Sequence, residues 1–288
     1  MVASLQYIEK VIACFTDAAE ANLRTPSRSG NLIELTREAA DEVMVTGDLH
    51  GHRRNFNLIR REAALGQNPR RHLIIQEVCH GGPTYPENGG DMSHTVLEDV
   101  ARLKLQFPGQ VHFLLGNHEL AEVADYPIQK NKQMLNLLFR LGLQQMFGPA
   151  TDKVRSAMFP FLRSSPLAVR VAEGIFISHS IPEQCDQREF DRSIFTRELN
   201  DEDFLERGPL FELVWGRDYR EENAQAFAEQ VGARLLINGH EPCPQGYSTP
   251  NSVQLILDCC SGPGNYLVLP VGESFSHQQL VDQVRTLQ

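Results

Sequence analysis

Four short stretches of this sequence place metal-competent side chains directly after apolar runs. EVMVT leads into Gly47-Asp48-Leu49-His50-Gly51, VHFLL into Gly116-Asn117-His118-Glu119, GIFIS into His179-Ser180, and RLLIN into Gly239-His240-Glu241. Carboxylate and amide oxygens suit hard divalent ions, and imidazole suits borderline transition metals. One Asp, one Asn and four His therefore suit manganese, iron or zinc, and such sites often hold two ions. The glycines beside the ligands allow positive φ and close backbone approach where a strand turns into a loop. A fifth stretch, Gln76-Glu77-Val78-Cys79-His80-Gly81-Gly82, adds a carboxylate, a thiol and an imidazole after HLIIQ.

These residues need strands to hold them. The β-prone runs are 42–46, 72–76, 111–115, 167–171, 174–178, 234–238, 253–257 and 265–269. Helical patterns fall at about 53–64, 94–106, 127–146, 186–198 and 221–231, after an amphipathic first helix built on Leu5, Ile8, Val11, Ile12 and Phe15. Alternation of this kind predicts α/β architecture, in which loops at the carboxyl ends of strands converge on a site. No internal repeat or low-complexity linker interrupts it. One domain over 1–288 is expected, with 1–30 as an N-terminal helical extension.

Composition narrows the function classes. The chain has 288 residues, 41% hydrophobic and 22% charged, which is ordinary globular composition. Its net charge of −10 lacks the broad basic footprint of a nucleic-acid binder. Glu9 and Lys10 interrupt the first apolar stretch before it reaches signal-peptide or membrane-span length, so a cytoplasmic protein without a membrane partner is expected. The six cysteines form no CxxC pair and read as reduced thiols, with Cys259 and Cys260 as packing residues. Cys79 and Cys185 also lack the Arg six positions on that a cysteine phosphatase requires, since Tyr85 and Asp191 stand there.

The ordered set GDLHG, LLGNHE, FISHSIP and INGHEP resembles the metallophosphoesterase superfamily, and within it the serine/threonine-type phosphoprotein phosphatases. The resemblance covers about residues 30–270. It implies a mixed β-sheet sandwich flanked by helices, with two divalent ions, manganese first and iron or zinc as alternatives. Asp48 and His50 would hold one ion, and Asn117, His179 and His240 the other. Glu77 falls where the family has a bridging Asp. Its extra methylene displaces the carboxylate by about 1.5 Å. A metal-bridging hydroxide would attack phosphorus, with His118 as general acid toward the leaving group. FELVWGRD, residues 211–218, resembles the segment that brings a phosphate-facing Arg, here Arg217 with Arg220 as fallback.

Two departures stand in the second motif. His80 replaces the Asp that orients the catalytic histidine and brings no negative charge to it. Gly81 replaces a phosphate-clamping Arg, for which Arg53 or Arg54 could substitute. The expected function is hydrolysis of a phosphomonoester, either a phosphoprotein or a small phosphate. A phosphatase-like binding protein with weak turnover and a dinucleoside-polyphosphate hydrolase are the alternatives.

Overall fold

A computed structural model of the chain describes residues 2–288. Two sheets face each other. One has five strands in the order Arg285–Thr286, Asn265–Pro270, Glu42–Asp48, Arg71–Gln76, Val111–Phe113. The other has seven, in the order Arg28–Ser29, Leu32–Leu35, Ala168–Val171, Ile175–Ser178, Leu235–Asn238, Gln254–Leu257, Tyr247–Ser248. Both are mixed. Glu42–Asp48, Arg71–Gln76 and Val111–Phe113 run parallel, as do Ile175–Ser178, Leu235–Asn238 and Gln254–Leu257, while antiparallel strands close every edge except the one formed by Val111–Phe113.

Side-chain alternation explains the layering. Val43, Val45, Ile74, Ile177, Leu235 and Ile237 point between the sheets into one core. Met44, Leu73 and Ile75 point outward into a second core under the helices of the five-stranded sheet, and Phe176 and Leu236 into a third beneath the helices of the other. A period of two, with apolar residues in both phases, is what a strand covered on both faces requires. The expected sandwich flanked by helices is the architecture observed. The helix Leu5–Leu23 joins the second core through Val11, Phe15 and Ala18 and lies against the helices Thr151–Arg163 and Ser93–Gln106.

Every predicted strand is present, most within one residue of its expected start. The helices differ in two places. In the 127–146 stretch a hairpin, Gln129–Lys130 with Gln133–Met134, comes first, and the helix begins only at Leu135. Asn131 and Lys132 take φ of 51° and 64° there, the double left-handed turn that joins tight hairpins. In the 186–198 stretch the only helical turn is the 3₁₀ segment Arg192–Phe195. Asp191 accepts hydrogen bonds from the Ser193 backbone N–H and hydroxyl, which satisfies the chain locally and stops a longer helix. Asn117–Ala124, Thr151–Arg163 and Pro209–Trp215 are helices that the sequence pattern did not reveal.

The parallel registers set the strand ends side by side, and the two sheets touch at an isolated parallel bridge between Asp48 and Asp258. Gly47 makes that approach possible, because a Cβ there would lie 2.2 Å from the Leu257 carbonyl.

Candidate metal centre

The strand ends bring together all six residues expected to bind metal. Asn117 Oδ1 lies 2.8 Å from His179 Nε2 and 2.8 Å from His240 Nδ1, and these two nitrogens are 3.2 Å apart. Glu77 Oε2 lies 3.2 Å from His179 Nε2, while its other oxygen, Oε1, lies 3.2 Å from His50 Nε2. Asp48 Oδ2 accepts from the His240 backbone N–H at 2.6 Å. Its Oδ1 is buried without a hydrogen-bond partner among the described residues and faces His179 Nδ1 at 3.6 Å.

These spacings fit metal coordination. Donors bound to one ion at about 2.1 Å stand about 3.0–3.4 Å from their neighbours, close to the separations above. Acceptor atoms crowded at such distances with few hydrogens between them call for a cation. Glu77 reaches both donor sets with one oxygen each, so its longer side chain keeps the two-sided placement expected of a bridge. Room for it comes from Gly116, where a Cβ would lie 2.5 Å from Glu77 Oε2 and 2.7 Å from Glu119 Oε2. Gly239 serves Asp48 in the same way, since its Cβ would fall 2.2 Å from Oδ1. Of the glycines beside the ligands, Gly51 takes the expected positive φ, at 71°, whereas Gly47, Gly116 and Gly239 serve close approach instead, and His50, His80 and His240 are themselves left-handed, at 42°, 64° and 72°. Left-handed backbone at non-glycine residues is costly and collects at functional sites.

The neighbours fix the ligands. His50 Nδ1 is 3.1 Å from the Cys79 carbonyl, which accepts its proton and leaves Nε2 for metal. Glu119 Oε1 accepts from the backbone N–H groups of Val78 and Cys79 at 2.9 and 2.7 Å, and the Glu77 carbonyl accepts from Leu49 and His50. Glu119 is thus a positioning residue that spacing alone did not single out, although it ends the GNHE motif. Cys79 is fully buried, and burial together with Glu119 and Glu122 pushes its thiol well above the usual range, which removes it as a nucleophile.

Charge in the centre follows from crowding. Burial pushes Asp48 up to about 7, with Glu77 adding to the rise and His179 opposing it. Burial would also raise Glu77, but the imidazoles of His118, His179 and His50 outweigh it and hold the carboxyl well below its ordinary value. His179 is carried the other way, up to about 9, because Glu77 and Asp48 overcome its burial. Burial, His179 and Arg217 lower His240 well below the ordinary imidazole value.

His118 sits at the edge of this centre, with Nε2 3.8 Å from Glu77 Oε1 and Nδ1 2.9 Å from His80 Nδ1. Its own backbone N–H donates to Glu77 Oε2 at 2.9 Å. Burial lowers its proton affinity well below normal, and His50, His80 and His179 add to the effect. Anionic support for His80 was not expected from the sequence. The structure supplies it, since His80 Nε2 meets Glu122 Oε1 at 2.9 Å.

The arginines are arranged differently from expectation. Arg217 stands at the rim, paired with Glu241 beside His240, and Tyr219 donates to the same Glu241 oxygen at 2.9 Å. Arg220, the fallback for Arg217, is held by Asp186 and Asp218, and Arg53, a candidate for the clamp missing at 81, is held by Asp99 and Thr95. Gly81 has φ of 125°, and a Cβ there would meet the His50 carbonyl at 2.9 Å. An Arg at 81 would therefore strain this loop.

A model of the calcineurin-like phosphoesterase family matches residues 42–244, which contain all six candidate ligands. The chain belongs to the calcineurin-like phosphoesterase family. A probable serine/threonine-protein phosphatase of Encephalitozoon cuniculi is 25% identical over 254 residues, covering 81% of this chain and 51% of the relative. The chain thus spans about half that relative's length. A protein serine/threonine phosphatase of Saccharomyces cerevisiae has the same fold, with a TM-score of 0.67 at 15% identity over 98% of this chain and 90% of its own. A cold-active protein-tyrosine phosphatase of a psychrophilic Shewanella superposes with a TM-score of 0.54 at 13% identity, over 93% and 84%.

Proposed function

We propose that this calcineurin-like phosphoesterase hydrolyses phosphomonoesters, with a phosphoprotein as its substrate class and two divalent ions as its cofactor. The observation that carries the reading is the Glu77 carboxylate, whose two oxygens are divided between His50 on one side and His179 on the other. Asp48 and His50 would hold one ion, Asn117, His179 and His240 the second, and Glu77 both. The mixed oxygen and nitrogen donors favour manganese, with iron and zinc as alternatives. Divalent ions at such a site supply Lewis-acid charge for the phosphoryl oxygens and a nucleophile made from water at neutral pH.

The remaining work belongs to the chain. Asn117 and Glu119, on one helix, fix respectively a ligand oxygen and the loop that carries Glu77. His118, between them, presents Nε2 toward the centre and donates a proton to the leaving alkoxide or phenolate, the step for which a positioned imidazole suits. Arg217 at the rim offers a guanidinium to the phosphate once it exchanges Glu241 for the substrate. The relatives' descriptions as serine/threonine and tyrosine phosphatases support a phosphoprotein substrate.

Manganese-dependent release of phenol from an aryl phosphate, lost with chelator, is the expected outcome. His118→Asn should lower kcat by about 10² to 10⁴-fold, the usual contribution of general-acid catalysis. A metal-loaded protein that turns over no member of a broad phosphoester panel contradicts this reading and favours a phosphatase-like binding protein, which the missing arginine at 81 would suit. Selectivity for dinucleoside polyphosphates within the panel redirects the substrate assignment.

A further inference from the structure

The second motif lost a carboxylate at position 80, and a carboxylate returns from another element. Glu122 lies one turn beyond His118 on the helix Asn117–Ala124 and is 1% exposed. Its Oε1 is 2.9 Å from His80 Nε2 and accepts a second hydrogen bond from Asn136 Nδ2 at 2.9 Å. Arg155 Nε, 3.8 Å from Oε2, provides a countercharge. On its other side His80 Nδ1 is 2.9 Å from His118 Nδ1, and Phe139 packs edge-on against the His80 ring at 5.5 Å between centroids. The His80 side chain has no exposed surface.

Hydrogen-bond polarity runs in one direction along this chain. A carboxylate only accepts, so the Nε2–H of His80 must be the donor to Glu122. Neutral His80 then has a bare Nδ1, which can only accept. His118 must therefore donate through Nδ1–H, which leaves Nε2 as its exchangeable position facing Glu77 and the centre. A proton given up by His118 then departs from Nε2, and neutral His118 keeps its hydrogen at Nδ1. We propose that Glu122 and His80 are positioning residues that fix the tautomer and aim of His118 for proton donation, performing in two links what a single carboxylate would do in one. The proposal rests on the general-acid reading of His118.

Position 80 also explains how the exchange is tolerated. Nδ1 of histidine is bonded to Cγ as Oδ1 of aspartate is, so both present an acceptor at nearly the same place. The left-handed φ of 64° at position 80 is a conformation in which Asp, Asn and His are all enriched.

The test compares kcat for 4-nitrophenyl phosphate, whose leaving group needs little protonation, with kcat for phenyl phosphate, whose leaving group needs more, in the manganese-loaded full chain. Glu122→Gln brings an amide that can donate to His80 and reverse its tautomer. An orienting carboxylate changed to an amide can cost about 10⁴-fold when it touches the catalytic histidine directly. One link farther out, about 10-fold or more on phenyl phosphate is expected, with at least threefold less loss on 4-nitrophenyl phosphate and an unchanged KM. Adding His80→Asp to Glu122→Gln should recover most of that loss. Equal loss on both substrates, no loss, or no recovery overturns the relay. His118→Asn serves as the control: a loss independent of the leaving group brings down the general-acid reading and the relay together, whereas a leaving-group-dependent loss there without one in Glu122→Gln brings down the relay alone. If Glu122→Gln does not fold, the histidine ¹H–¹⁵N spectrum of the zinc-loaded wild type decides. His80 protonated at Nε2 and bare at Nδ1 supports the relay, and the opposite tautomer overturns it.

Discussion

The strands Arg71–Gln76 and Val111–Phe113 each carry polar residues at both ends, and the two ends behave differently. Beyond their carboxyl ends stand Glu77 and Asn117, among the imidazoles of His50, His179 and His240. Within the strands themselves, His72 Nδ1 meets His112 Nε2 at 2.9 Å with rings stacked 5.2 Å apart, and Lys104 is buried nearby. Lys104 donates to Thr25 Oγ1, the Pro108 carbonyl and the Val111 carbonyl at 2.7, 2.7 and 3.0 Å. Both groups are buried and rich in histidine, but only the first contains carboxylates.

That difference sets the opposite signs at His179 and His112, although His240 in the first group is lowered by burial as well. Around His179, Glu77 and Asp48 overcome burial and raise the imidazole to about 9. Around His112 burial acts first, Lys104 and His72 add to it, and the imidazole falls well below its ordinary value. Burial likewise lowers Lys104 to about 7, helped by Arg28. A buried imidazole among anions is kept ready for a cation, whereas one among carbonyls and other bases becomes a neutral packing group. Counting histidines therefore does not locate a metal site, and the company of carboxylate and amide oxygens does.

Replacing a residue in each group should give opposite phenotypes. Glu77→Ala removes a side chain whose two oxygens reach both donor sets, and phosphatase turnover should fall by about 10³-fold or more, equivalent to roughly 4 kcal/mol of transition-state stabilisation. A variant retaining wild-type turnover would remove Glu77 from the centre. Lys104→Met should instead change stability and its pH dependence. The folded lysine titrates at about 7 and the unfolded one at 10.5, so between these values the unfolded chain binds more protons and wild-type stability rises with pH. From pH 7.5 to 9.5 wild type should gain about 2 kcal/mol relative to Lys104→Met in urea unfolding, at 1.36 kcal/mol per pK unit. Parallel pH profiles would show that Lys104 is charged in the fold.

Much of the centre was legible in the sequence because the ligands follow apolar strands, and strand ends are positions that a one-dimensional pattern can mark. Asp48, His50, Asn117, His179 and His240 each follow such a run, and Glu77 was located by its place in the second motif of the family that the sequence resembles. The relay was not legible in this way. Glu122 lies 42 positions from His80, and its place one turn past His118 has meaning only once residues 117–124 are helical, which the strand-like run before them concealed. The arginine at the rim was located by likeness, but its pairing with Glu241 depends on side-chain directions that spacing does not encode. Gly81 reads in sequence as a missing arginine, and only its φ of 125° and the nearby His50 carbonyl show that an arginine would be strained there.

We propose that Glu77, one methylene longer than aspartate, still joins two metal sites. Counting manganese per chain by elemental analysis, after loading and removal of free ion, tests it most directly. Two ions per wild-type chain, falling to one or none in Glu77→Ala, is the predicted result. A single ion in the wild type, with the same count in Glu77→Ala, would contradict it.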